Sequence, residues 1–162
     1  MTKRLTLTFD NGPDRTVTPQ VLDELDRRGL SATFFVLGRR LDDDRLAIVR
    51  DAARRGHRIG NHTYSHPSPL GSLGPAAVDE ITRTSERLGD LEAADRLFRP
   101  SAGGGVLASG VLNADIVDHL TGSGYTMVLW NAVVEDWVRA DGSWVDLALA
   151  ALDEHDWTLL VP

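Results

Sequence analysis

Strand-like and helix-like segments alternate strictly along all 162 residues, and this pattern constrains the fold more than any other feature of the chain. Leu5, Leu7 and Phe9 alternate with Arg4, Thr6 and Thr8, the two-residue period of a strand. Thr18 offers an N-cap ahead of Pro19, and Val21, Leu22 and Leu25 form a helix face that stops at Gly29. Ala32 to Leu37 is a short apolar run suited to a buried strand, and Leu46, Val49 and Ala53 mark a helix from Asp42 to Arg55. Further strands are expected at 58–60, 97–99, 125–130 and 157–161, and further helices at 75–88, from the cap Asn113 through Leu120, and at 144–152. Six strands joined by helices require a parallel sheet, because parallel neighbours need a connection long enough to hold a helix. A closed barrel and an open doubly wound sheet both satisfy the pattern. No Gly-x-Gly-x-x-Gly follows the first strand, which argues against a dinucleotide-binding version.

The length fits one domain, residues 1–162, with enough buried surface to fold without staples. There are no cysteines, so disulfides, thiolate metal sites and a cysteine nucleophile are excluded. A balance of 17 basic against 24 acidic residues gives a formal charge of −7. The pairs Arg27-Arg28, Arg39-Arg40 and Arg54-Arg55 are separated and flanked by acids, so no nucleic-acid partner is expected. No apolar run approaches the ~20 residues of a membrane span, and Met1-Thr2-Lys3-Arg4 leads into the first strand without a signal-peptide core. The chain as given is therefore expected to be soluble, not inserted in a membrane, and cytoplasmic. A domain cut from an exported protein would instead act outside the cell or at the cell wall.

Asp10, His62, Arg99 and Asp136 fall just beyond the C-terminal ends of expected strands, the edge where parallel α/β folds build their sites. His62 and His66 have a spacing that can put both imidazoles on one face of a helical turn. With Asp10 and Asn11 nearby, the set reads as a metal-assisted hydrolase. Each residue also has a plainer reading. Asp10-Asn11-Gly12-Pro13 is good turn chemistry, Arg99 can be a surface charge, and Asp136-Trp137 can be a loop acid beside a core aromatic. His57, His119 and His155 fall on helix ends or faces and read as structural.

Over nearly its whole length the chain resembles the polysaccharide deacetylases, family 4 of the carbohydrate esterases, which include chitin and peptidoglycan N-deacetylases. Their first motif, T-F-D-D-G-P, is matched at residues 8–13 except that Asn11 replaces the second aspartate. Their second, H-[ST]-x-x-H, is complete in His62-Thr63-Tyr64-Ser65-His66. Of the third, Arg99 and Pro100 remain, followed by Ser101-Ala102-Gly103 in place of Pro-Tyr-Gly. The fourth keeps Asp136 and Trp137 but has Val133 at its first acidic position. The fifth, a late L-x-H, is absent, and Leu160-Val161-Pro162 stands where it would be due.

The resemblance implies a distorted, incomplete (β/α) barrel with fewer than eight strands. It also implies a divalent metal, zinc by default with cobalt, nickel or manganese as alternatives, held by His62, His66 and Asn11. Asp10 would be the general base toward the activated water, Arg99 would orient it through a bidentate contact, Asp136 would tune the missing general-acid histidine, and Trp137 would wall the groove. The implied reaction releases acetate from an N-acetylated glycan of chitooligosaccharide or peptidoglycan type. An amide oxygen at Asn11 is a weaker ligand than a carboxylate, and loss of a general acid costs ~10²–10⁴-fold. The simplest account is a catalytic domain cut short at its C-terminus, a longer version continuing with histidine just past Pro162. Two other readings are a C–N hydrolase for a small non-sugar amide, suggested by the altered third motif, and a non-catalytic glycan-binding relative. The sequence leaves the oligomeric state unknown.

Overall fold

The computed structural model describes residues 2–92, 95–101, 105–139 and 141–162. Seven parallel strands form one sheet: β1 (Arg4–Gly12), β2 (Thr33–Val36), β3 (Arg58–Asn61), β4 (Leu97–Phe98), β5 (Thr126–Met127), β6 (Ala132–Val133) and β7 (Trp157–Val161). Among the described residues five α-helices accompany them: α1 (Val17–Arg28), α2 (Asp43–Arg54), α3 (Ala77–Leu88), α4 (Ala114–Gly122) and α5 (Trp144–Glu154).

The strand order is β5-β4-β3-β2-β1-β7-β6. That is a barrel's cyclic order opened between β5 and β6, without the reversal of a doubly wound sheet. Only residues 128–131 join β5 to β6, too few for the crossover that would let them pair in parallel. The expected distorted, incomplete (β/α) barrel is therefore the observed one. It has seven strands where six were expected. The 125–130 run, which reads as one strand, pairs only at Thr126 and Met127, and the chain re-enters the sheet at Ala132.

Strands and helices form for legible reasons. The Asp42 side chain caps α2 by accepting the Arg45 N–H, and Asn113 caps α4 by accepting that of Ile116. Gly29, at φ 64°, ends α1 in the left-handed conformation glycine adopts freely. Thr18 does not cap α1. The helix starts at Val17, the Asp14 carboxylate accepts the N–H groups of Thr16 and Val17, and the Thr18 hydroxyl accepts from Asp14.

The core is layered by strand alternation. Phe34 and Val36 of β2 join Leu22 and Leu25 of α1 and Val49 and Ala52 of α2 in one cluster. A second cluster packs Ile81 of α3 and Ile116 and Leu120 of α4 on Phe98, and a third packs Ala148 of α5 on Ala132 and Leu160. Phe35 belongs to the opposite face of β2 and is fully buried under the site. It has room because residue 60 is glycine: a Cβ there would meet the Phe35 ring at 2.6 Å. Among the described residues no helix is long and apolar enough to cross a membrane.

Candidate active site

A cleft of about 620 Å³ opens at the C-terminal edge of the sheet, and Asp10, Asn11, His62, His66, Trp130, Val133, Asp136 and Trp137 are among its lining residues. Six of the seven side chains singled out from the sequence line it; the seventh, Arg99, lies buried beneath.

Asp10 and Asn11 are consecutive, so a regular strand would send them to opposite faces. They share the cleft because β1 is irregular there. Phe9 pairs with Phe34 but Gly12 with Val36, which leaves one extra residue on β1, and Asn11 adopts φ 66°. Asparagine tolerates that left-handed conformation better than most residues, and such a bulge re-aims side chains.

The His62–His66 segment is not a helical turn. Thr63 and His66 have φ of 70° and 63°, and the loop is pinned from outside instead. Gly38 N–H donates to Thr63 O and Arg39 N–H to Tyr64 O. The buried Asn61 amide accepts the Thr63 N–H and donates to Ile81 O. Glu80, in the first turn of α3, accepts from both the backbone and the hydroxyl of Ser65, at 2.6 and 2.9 Å. Positive φ at a β-branched threonine is costly and survives only where surrounding contacts over-determine it. The Asn61–Thr63 contact is a local turn of a kind Asn favours, whereas the Asn61 contact to Ile81 O and both Glu80 contacts to Ser65 arise only from tertiary packing and have no local sequence signal.

The loop sets the two rings 5.0 Å apart, centroid to centroid. His62 Nδ1 lies 2.9 Å from Arg99 O. A carbonyl can only accept, so Nδ1 carries the proton and Nε2 presents its lone pair, 3.7 Å from Asp10 Oδ2. Burial pushes the pKa of His62 below its usual value against the opposing charge of Asp10, and burial likewise lowers that of His66. Both imidazoles are thus held neutral.

This donor chemistry fits a divalent cation. Two neutral imidazoles, one oriented by a hydrogen bond through its second nitrogen, are characteristic zinc-type donors, and a lone pair facing a carboxylate leaves a place where positive charge is favourable. Among the described residues no three His, Asp or Glu side chains are gathered as a cage, and Asn11 lines the cleft together with both histidines.

Arg99 is fully buried directly after β4. Its Nη1 donates to Asp10 Oδ1 at 2.7 Å and to Thr8 Oγ1 at 2.8 Å, its Nε to Val128 O and its Nη2 to Leu129 O, both at 3.2 Å. The contact to Asp10 is therefore single, not the bidentate one expected, because the rest of the guanidinium holds the segment after β5. The cation also lies 4.2 Å from the Phe35 ring centre and 5.2 Å from that of Trp130. Burial lowers the Arg99 pKa, with Asp10 opposing.

Asp136 and Trp137 open a short 3-10 turn on the far rim. Trp137 lines the cleft and is 66% exposed. Val133 puts an apolar side chain in the cleft where the family pattern has an acid. Trp130, the last residue of the expected 125–130 strand, is a further aromatic lining the cleft.

A curled parallel sheet with a carboxylate, an arginine and paired histidines gathered at its C-terminal edge defines an incomplete (β/α) barrel with a polar cleft at that edge. The chain belongs to the polysaccharide deacetylase family, whose family model matches residues 1–128. It is 36% identical over 138 residues to a peptidoglycan-N-acetylglucosamine deacetylase of Bacillus cereus, a match covering 83% of this chain and 47% of that protein. To a chitooligosaccharide deacetylase of Rhizobium leguminosarum bv. trifolii it is 35% identical over 150 residues, covering 92% and 66%. Its fold is similar to that of a family 4 carbohydrate esterase from Streptomyces lividans solved in complex with acetate, with a TM-score of 0.77, 29% identity and coverage of 98% of this chain and 78% of that one. The chain thus spans about half of the first of these relatives and about two thirds of the second, 47% and 66% of their lengths.

Proposed function

We infer that this chain is a metal-dependent N-deacetylase that hydrolyses the acetamide of an N-acetylated glycan, of peptidoglycan or chitooligosaccharide type, to acetate and a free amine. The observation that carries the reading is the buried Arg99–Asp10 pair facing the unprotonated Nε2 of His62. His62, His66 and Asn11 would hold the cation, zinc before cobalt, nickel or manganese. When bound, the ion supplies Lewis-acid activation of water and of the acetyl carbonyl. Asp10 Oδ2, left free by the single contact of Arg99 to Oδ1, is the base that takes the proton of the attacking water. Arg99 and Thr8 hold that carboxylate in place, Trp137 offers a sugar-stacking wall, and Asp136 completes the far rim.

The test is acetate release from N-acetyl-chitooligosaccharides and peptidoglycan fragments, alongside the metal content of the purified protein and of a His62→Ala/His66→Ala double variant. Near-stoichiometric metal lost in the double variant, with acetate release abolished by Asp10→Asn, is expected. Hydrolysis of small amides in place of glycans would point to a small-amide C–N hydrolase. Val133 in the cleft and an amide at Asn11 favour one second reading, a non-catalytic glycan binder. Glycan binding that persists under chelation with no acetate released would select it.

A further inference from the structure

Of the Phe, Tyr and Trp side chains among the described residues, only Trp137 and Trp157 are exposed, 66% and 53%. Trp137 belongs to the cleft, whereas nothing in the chemistry above uses Trp157, at the opposite, N-terminal end of β7. Its exposure follows from the topology. β6 pairs with β7 only at Leu160 and Val161, so the first half of β7 borders the open seam of the barrel instead of a strand. The Asn131 side chain stands in for the missing ladder there, donating to Trp157 O at 2.9 Å and accepting the Leu159 N–H at 2.8 Å.

The indole is held in orientation. Its Nε1 donates to Thr6 Oγ1 at 2.9 Å, within a register that sets Arg4 beside Trp157 and Thr6 beside Leu159. Thr6 and Thr8 share a face of β1, and Thr8 meets Arg99, so Trp157 stands on the inner side of the sheet. Val161 lies on that same face of β7 and lines the cleft, about 13 Å further along the strand. The neighbours of Trp157 in sheet and chain include Arg4, Thr6, Asn131 and Asp156, and the exposed Leu5 belongs to the other face of β1. A protein partner requires a contiguous apolar patch, which these polar neighbours interrupt. A sugar ring has an apolar C–H face and a rim of hydroxyls, and it matches both the flat indole and its polar surroundings.

We propose that Trp157 is a second glycan-binding platform, outside the cleft, on which one pyranose ring of a polymeric N-acetylated glycan stacks. The identity of the ligand rests on the deacetylase reading. Thr6 fixes the plane of the indole, and Asn131 holds the strand that carries it. The platform serves long or insoluble chains, which reach both it and the cleft, and does nothing for a short oligomer that fills the cleft alone.

The test measures retention on insoluble chitin and on purified peptidoglycan, with kcat/KM for acetate release from soluble N-acetyl-chitotriose, for the wild type, Trp157→Ala and Trp157→Phe. Trp157→Ala should weaken polymer binding by about three- to tenfold and leave trimer kcat/KM unchanged, while Trp157→Phe, which keeps a ring, should retain part of the binding. A second measurement needs no alanine variant. The Trp157 indole N–H signal of the wild type, assigned by its absence in Trp157→Phe, should shift when N-acetyl-chitohexaose is added in nuclear magnetic resonance spectra. Polymer binding that Trp157→Ala leaves unmoved, or an indole signal that the hexamer leaves unmoved, overturns the proposal. A dimer that dissociates in Trp157→Ala, with polymer binding unchanged, overturns it in favour of an interface between copies. If no substrate releases acetate but polymer binding depends on Trp157, the deacetylase reading fails by itself and the platform stands.

Discussion

Replacing Arg99 by lysine keeps the charge and removes the fork, so it asks whether the geometry of this buried cation matters. The guanidinium makes four hydrogen bonds from three nitrogens, to Asp10, Thr8, Val128 O and Leu129 O. A lysine ammonium is a single point of donors on a flexible stem. If it stays with Asp10 and Thr8, 2.7–2.8 Å from the present Nη1, the carbonyls of Val128 and Leu129 lose their partner. Each such loss costs about 1–1.5 kcal/mol, taken at the low end because both bonds are long and only partly buried. Weakened contact with the Phe35 and Trp130 rings adds about 0.5–1 kcal/mol, for a total near 2.5–4 kcal/mol. For a domain of this size that is a fall in Tm of roughly 5–15 °C, readable by calorimetry. Because the Val128–Trp130 segment forms part of the cleft edge, kcat/KM should also fall, by about 10–100-fold. A lysine variant with unchanged melting and activity would show that charge alone suffices and that the fork holds nothing.

Three further outcomes are expected. His57, His62 and His66 all have pKa values lowered by burial, so the unfolded chain binds protons more readily. Stability is therefore full above about pH 6.5 and lost as the pH falls through that value; a metal-free melting temperature that is flat between pH 7.5 and 5.5 refutes this. Glu80→Ala removes both contacts to Ser65 and should cost about 1–3 kcal/mol while lowering metal affinity, checked by melting and by competition with a chelator. Asn11→Asp should tighten zinc binding by about tenfold or more, since a carboxylate is the better hard donor; unchanged affinity in the same competition would remove Asn11 from the donor set.

The first two motifs and the order of strands and helices were legible because they are local. Period-two apolar patterns, the Asn113 cap and the stop at Gly29 need only neighbouring residues, and the alternation of elements then restricts the sheet to parallel. The placement of Asp10, His62 and Arg99 at one edge followed from that topology. Tertiary structure decided the rest. Whether the sheet closed was fixed by the length of the β5–β6 connection and by the return of β7 beside β1. Asp10 and Asn11 face one cleft only because pairing with β2 forces a bulge that strand periodicity does not encode. The two histidines converge on a loop held by a local Asn61 turn and by Gly38 and Glu80, the latter two far from it in the chain. Side-chain identity supplied the chemical groups, and long-range hydrogen bonds, whose partners no local pattern specifies, set where they point.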